Sequence, residues 1–208
     1  MAHAEADEGG DRGPVRQRLC DLVGRPERVD AGPAAPRAVS DRLAALSRER
    51  VTVAFEDALL TEEPAASLVE AMRAEIAELY DGLDLDDARM PSARPDELAP
   101  PAGALIVGFA DGRPVCCGGI KRLDQGTCEI KRMYVLPEMR GRGVARQLLD
   151  ALESKARALG YDRARLDTGP RQPDARALYE SAGYEPVANF NRNPVAVFWG
   201  EKQLVPSR

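Results

Sequence analysis

Residues 129–160 read EIKRMYVLPEMRGRGVARQLLDALESKARALG, and this stretch constrains the fold more than any other. A strand-like run ends at Leu136-Pro137. An amphipathic helix then begins near Arg142, with Val144, Leu148, Leu152, Ala156 and Leu159 on one face and Gly160 as its cap. Arg140-Gly141-Arg142-Gly143 stand at the mouth of that helix. A strand that turns directly into a helix leaves several N–H groups unpaired at the positive end of the helix dipole, which makes the junction a seat for an anion. Gly141 and Gly143 keep Cβ atoms out of the way of a polyanion, and Arg140, Arg142 and Arg146 add positive charge. A pyrophosphate suits such a seat.

That charge has to be local, because 29 Lys plus Arg against 34 Asp plus Glu leave a formal net charge of -5. The balance gives no support to nucleic acid or a membrane surface as partner. No apolar stretch is long enough to span a bilayer, and MAHAEADEGGDRG lacks the apolar centre of a signal peptide, so a cytoplasmic protein is expected. His3 is the sole histidine and lies in a polar terminus, which sets aside mechanisms built on an imidazole base. Cys20, Cys116, Cys117 and Cys128 have no paired metal-ligand spacing and read as reduced thiols, with no metal expected.

Residues 1–45 are rich in Gly, Pro, Ala and Arg and read as an N-terminal extension, disordered or loosely packed, with a short helix over 40–50; residues 46–208 read as one domain. Val51-Thr-Val-Ala-Phe55 predicts a first strand. A helix follows from about Thr61-Glu-Glu-Pro64 to Tyr80, with acids in its first turn and Leu68, Met72, Ile76 and Leu79 in a stripe. Residues 81–103 form an acidic loop with room for one helical turn. Three strands come next, ALIVGF, PVCCGGIKRL and TCEIKRMYV; Asp111-Gly112 suits a tight hairpin turn and makes them antiparallel neighbours. Beyond the 142–159 helix lie a strand at ARLDT, a helix from Pro173 to Gly183, and strands around EPVANF and AVFWGEKQL. The fold class is therefore α/β (α+β), a mixed, mostly antiparallel sheet of about six or seven strands with helices on both faces.

Spacing separates the kinds of phosphate loop. A nucleoside triphosphate loop needs Gly-Lys-Ser/Thr, and this chain has no Gly-Lys dipeptide; a dinucleotide fingerprint beginning at Gly141 needs Gly or Ala at 146, where Arg146 stands. What remains is Arg-x-x-Gly-x-Ala. With "YVLPEMRGRGVA" and "ARALYESAGYEP" in this order, the sequence resembles the GNAT superfamily of acyl-CoA N-acyltransferases across roughly residues 51–204. The resemblance implies acetyl-CoA as cosubstrate, its pyrophosphate held by the main chain of Arg140, Gly141, Arg142, Gly143, Val144 and Ala145. It implies pantetheine pairing with the exposed main chain of Met133, Tyr134 and Val135, in the manner of an added strand. Asp174 stands where family members often carry an Asn that contacts coenzyme A.

The resemblance also implies catalytic residues. Glu129 takes the place of the family's strand carboxylate, a base acting directly or through water, against the alternative of an acid merely neighbouring Lys131. Tyr179 takes the place of the tyrosine that faces the sulfur, against the alternative of a core residue. Met133 or Val135 would supply an oxyanion N–H. Asp167 is a reserve base, against the alternative of a structural residue, and Cys128 has no partner to make it a nucleophile. The acidic loop would attract a cationic amine, against the alternative of a solvated loop, residues 189–194 would form the opposite wall, and Phe198 and Trp199 would fill sheet positions. The expected activity is direct acetyl transfer from acetyl-CoA to a primary amine of a small molecule or polypeptide, in a monomer or homodimer. The alternative is a non-catalytic acyl-CoA-binding sensor.

Overall fold

The structure, a computed structural model, describes residues 50–91 and 93–204. The N-terminal extension, its short helix, His3 and Cys20 lie outside the described residues. In chain order the elements are β1 (Ala54–Ala58), α1 (Ala65–Leu79), a 3-10 turn (Pro95–Leu98), β2 (Ala104–Ala110), β3 (Arg113–Arg122) and β4 (Thr127–Val135). A second 3-10 turn (Pro137–Met139), α2 (Val144–Ala158), β5 (Arg163–Thr168), α3 (Pro173–Ser181), β6 (Glu185–Pro186) and β7 (Phe198–Gln203) complete it. The seven strands form one sheet in the order β1-β2-β3-β4-β5-β7-β6. Every pairing is antiparallel except that of β4 with β5.

The hairpin reading of the middle strands holds. Asp111 and Gly112 both take positive φ, 49° and 72°, as the tight turn between β2 and β3 requires. Asp124 organises the next turn by accepting from the N–H groups of Gly126 and Thr127 at 2.9 and 2.8 Å. The first strand starts three residues later than its sequence pattern suggests. Val51 and Val53 are held by α2 instead: Gln147 Nε2 donates to the Val51 carbonyl at 2.7 Å and Gln147 Oε1 accepts from the Val53 N–H at 3.1 Å. The acids expected in the first turn of α1 precede it, because the helix begins only after Pro64. The strand expected over EPVANF shrinks to Glu185–Pro186. Beyond it Asn189, Asn191 and Asn193 accept from the N–H groups of Arg192, Asn193 and Val195, so their side chains replace ladder bonds with local turns.

Two apolar layers sandwich the sheet. Leu148, Leu149, Leu152 and Ala156 of α2 are fully buried against Cys128, Ile130, Ala164 and Leu166 on one face, where Tyr179 of α3 joins them. Burying each leucine contributes about 1.5–3 kcal/mol. Leu68, Val69 and Met72 of α1 cover the other face, over Leu105, Val107, Cys117 and Tyr134. That second cover is shorter than the sheet, and the polar residues of β4 and β5 emerge beside it.

Candidate active site

The site exists because β4 and β5 part company. They pair only at Thr127–Arg163, Cys128–Ala164 and Glu129–Arg165, although β4 runs on to Val135 and β5 to Thr168. A bulge helps to drive them apart. Arg132 takes φ 57°, and the register against β3 slips between Cys117 and Gly119, so an extra residue is accommodated in β4. Beyond the bulge Met133 and Val135 face the α2 layer and Tyr134 faces α1. Residues 130–135 therefore have β3 on one side and no strand on the other, an edge that can accept an extended ligand by main-chain pairing.

Downstream of that edge lies the expected anion seat. Gly141 and Gly143 have φ 72° and 80°, a region costly to other residues, and Gly143 is the left-handed residue just before α2. No side chain caps α2. Among the described residues no acceptor lies within hydrogen-bond geometry of the N–H groups of residues 141–146. A Cβ on Gly141 would meet nothing within 4 Å, while one on Gly143 would meet the Arg50 side chain at 3.8 Å. Val144 contributes only its main chain, its side chain being buried, while Ala145 is half-buried and Asp174 is exposed in the first turn of α3.

The arginines contribute less charge to the seat than the sequence suggests. Arg140 donates to the Val135 carbonyl at 3.0 Å and to Glu75 of α1 at 2.7 Å, and its guanidinium lies over the Tyr134 ring. Arg146 is paired with Asp150 at 3.4 Å. Arg142 differs: NH1 has a weak contact with Met139 Sδ at 3.7 Å, and its buried Nε has no partner.

Glu129 is 1 % exposed and faces away from the α2 layer. Its Oε1 accepts from Lys131 Nζ at 3.0 Å and from Asn191 Nδ2 at 2.7 Å. The carboxylate is thus buried and held by Lys131 at once, not an exposed surface acid. Asn191 is itself held by the Trp199 indole N–H at 3.1 Å, and Asn193 donates to Asp167. Residues 189–194 thus hold both carboxylates. Trp199 fills a sheet position, and its indole N–H also holds Asn191.

Tyr179 lies on the opposite face, buried, with its hydroxyl 3.8 Å from Met133 Sδ where β4 leaves β5. Burial first, and then the charge of Asp167, push its phenol well above the ordinary value, so the hydroxyl keeps its proton at any working pH. The thiols of Cys116, Cys117 and Cys128 are pushed up to about 12 by burial, which removes Cys128 as a nucleophile.

The acidic loop is not the free negative surface that its composition suggests. Asp84 and Asp86 are paired with Arg73 of α1, Asp87 with Arg89, Asp96 with Arg94, and Asp81 with Arg171. Arg73 and Arg171 come from outside the loop and offset part of its net charge, whereas Arg89 and Arg94 belong to the loop itself.

Comparisons with known proteins follow this geometry. A profile of the family described as Acetyltransferase (GNAT) family matches residues 68–184. An IAA acetyltransferase of Azospirillum brasilense is 31% identical over 163 residues, covering 74% of this chain and 98% of the relative. A crystal structure from Klebsiella pneumoniae, described as an acyl-CoA N-acyltransferase, superposes with TM-score 0.60 at 28% identity, covering 74% of this chain and 99% of that one. A GNAT family acetyltransferase from Elizabethkingia anophelis, solved with acetyl-CoA bound, has TM-score 0.52 at 17% identity over 73% of this chain and 98% of its own, which speaks for the fold alone.

Proposed function

The chain belongs to the GNAT acetyltransferase family, and from that premise we propose that it moves an acetyl group from acetyl-CoA to a primary amine by direct transfer in a ternary complex. One observation carries the reading: the edge of β4 lies open from residue 130 and leads straight to a loop whose N–H groups have no acceptor among the described residues. Both features fit the cosubstrate. The open edge suits the amides of pantetheine at Met133, Tyr134 and Val135, and the amides of Arg140, Gly141, Arg142, Gly143, Val144 and Ala145 suit a diphosphate, with the unmatched Nε of Arg142 beside them. Asp174, exposed at the start of α3, is the remaining candidate contact.

Acetyl-CoA supplies a thioester, an acetyl group already activated for attack. Glu129 takes a proton from the acceptor ammonium, directly or through water, from the α1 face of the gap. A main-chain N–H of Met133 or Val135 stabilises the carbonyl oxygen as it becomes anionic. A nitrogen–carbon bond forms, the carbon–sulfur bond breaks, the second proton of the amine passes to the departing thiolate or to water, and the Tyr179 hydroxyl meets the departing sulfur from the other face. Because its pKa is raised, Tyr179 serves better as a hydrogen-bond donor to a thiolate than as a full proton source. The named relatives are acetyltransferases, which does not favour a purely sensory module.

The acceptor, small molecule or polypeptide, is sought by incubating acetyl-CoA with a panel of amines and following free thiol release and N-acetyl products by mass spectrometry. Amine-dependent thiol release supports the reading. Tight coenzyme A binding without transfer to any amine from any acyl donor contradicts it. Among the described residues no helix is long and apolar enough to cross a membrane.

A further inference from the structure

Arg132 makes an unusual use of a strand position. Its side chain is 8% exposed, its Nε is buried without any hydrogen-bond partner, and NH2 reaches one counter-charge, Asp86 Oδ1, at 3.7 Å. Burial pushes its guanidinium down from the ordinary value, against the pull of Asp86, although an arginine stays charged at neutral pH. Burying a cation without a full set of acceptors is costly, and holding φ at 57° adds to that cost; both mark positions where structure is kept for use.

The side chain does not face a packed core. It lines a cavity of about 610 Å³ between α1 and the 85–95 loop, a size suited to a small molecule. Arg73 lines it too, together with the apolar side chains of Leu60, Val69 and Leu85. Asp86 bridges the two arginines, meeting Arg73 NH2 through Oδ2 and Arg132 through Oδ1, yet that carboxylate is 57% exposed. An exposed carboxylate of the protein thus occupies the position that a ligand carboxylate would take. Arg132 also directly precedes Met133, the first expected contact of the cosubstrate, on the edge of β4 that no strand covers.

We propose that this cavity is a carboxylate-recognising acceptor subsite, in which Arg132 and Arg73 hold the carboxylate of an amine-bearing acid, such as an amino acid, by displacing Asp86. The proposal rests on the N-acetyltransferase reading and specifies its acceptor class. It reverses the polarity suggested by the acidic loop: recognition acts on the negative end of a zwitterion, while Glu129 serves the amine.

The test uses product analogues, so no acceptor has to be known. Full-length protein saturated with coenzyme A is titrated calorimetrically with N-acetyl amino acids and with the matching N-acetyl amino acid amides. The free acids are expected to bind at least ten-fold more tightly than the amides. Arg132→Gln is expected to erase the difference, and Arg132→Lys to retain part of it. Asp86→Asn, an exposed loop substitution that removes the competing carboxylate, is expected to tighten binding of the free acids. Equal binding of acids and amides, or no binding of any free acid to wild type or Asp86→Asn, overturns the subsite. Neither result touches the reading beneath it, which fails separately if coenzyme A itself produces no heat.

Discussion

The two ends of β4 meet different neighbours. Residues 127–129 have β3 on one side and β5 on the other, and Cys128 between them is sealed under α2. Residues 130–135 have β3 alone, and here Met133 meets the Tyr179 hydroxyl, Arg132 opens onto a cavity and the chain leads to the anion seat. Glu129 stands at the boundary. The contrast teaches that the sheet supplies stability where it closes and chemistry where it fails to close. Substitutions on the two sides should therefore separate stability from turnover.

The largest effect is expected at the boundary. Glu129→Gln should lower kcat about 10²- to 10⁴-fold, the usual weight of a positioned base, with coenzyme A affinity retained in calorimetry. Lys131, 12% exposed, loses its partner in this variant, so the melting temperature should fall as well. Rates measured well below the transition isolate the chemical part. A kcat within a few-fold of wild type would make Glu129 a structural ion-pair residue and break the comparison at its hinge.

The closed side should respond to alkali. Cys128 on the closed side, and Cys116 and Cys117 on β3 opposite the open side, have thiols raised from 9.0 to about 12 in the folded protein. Because the folded value lies above the unfolded one, their contribution to stability is complete below pH 9 and is lost as pH rises towards 12, by up to about 1.4 kcal/mol per pH unit for each thiol. Thermal melts between pH 8 and pH 12 should show that decline. A flat profile would mean that these thiols are open to water. The smallest effect is expected from Tyr179→Phe, which removes one donor on the open side. A drop in kcat of about ten-fold, with KM and melting temperature little changed, is the weight of a single hydrogen bond made in the transition state. Loss of stability without loss of rate would return Tyr179 to the core.

How much of this was legible in the sequence follows from how local each signal is. The Asp111-Gly112 turn, the α2 stripe and the Gly141/Gly143 junction were all readable, because propensity and periodicity act over a few residues. Arg132 was not identified, though a signal was present: apolar positions run 128, 130 and then 133, 135, a slip of one that marks an inserted residue in a strand. The partners of the acidic loop were beyond reach, since Arg73 and Arg171 come from α1 and from the chain after β5. Asn191 reaches Glu129 across 62 residues, a contact that no local pattern encodes. The alternation in EPVANF was read as a strand because nothing in it shows that asparagine side chains will take the backbone donors of the loop after it.

Everything on the open side depends on coenzyme A binding where β4 hands the chain to α2. The direct measurement is calorimetric titration of wild type and of Gly143→Val with coenzyme A, alongside circular dichroism to confirm that both are folded. The account predicts clear saturable binding by wild type and at least ten-fold weaker binding by the variant, whose β-branched side chain cannot adopt φ 80° without strain over the diphosphate seat. No heat with wild type, or equal affinity in a folded variant, would contradict it.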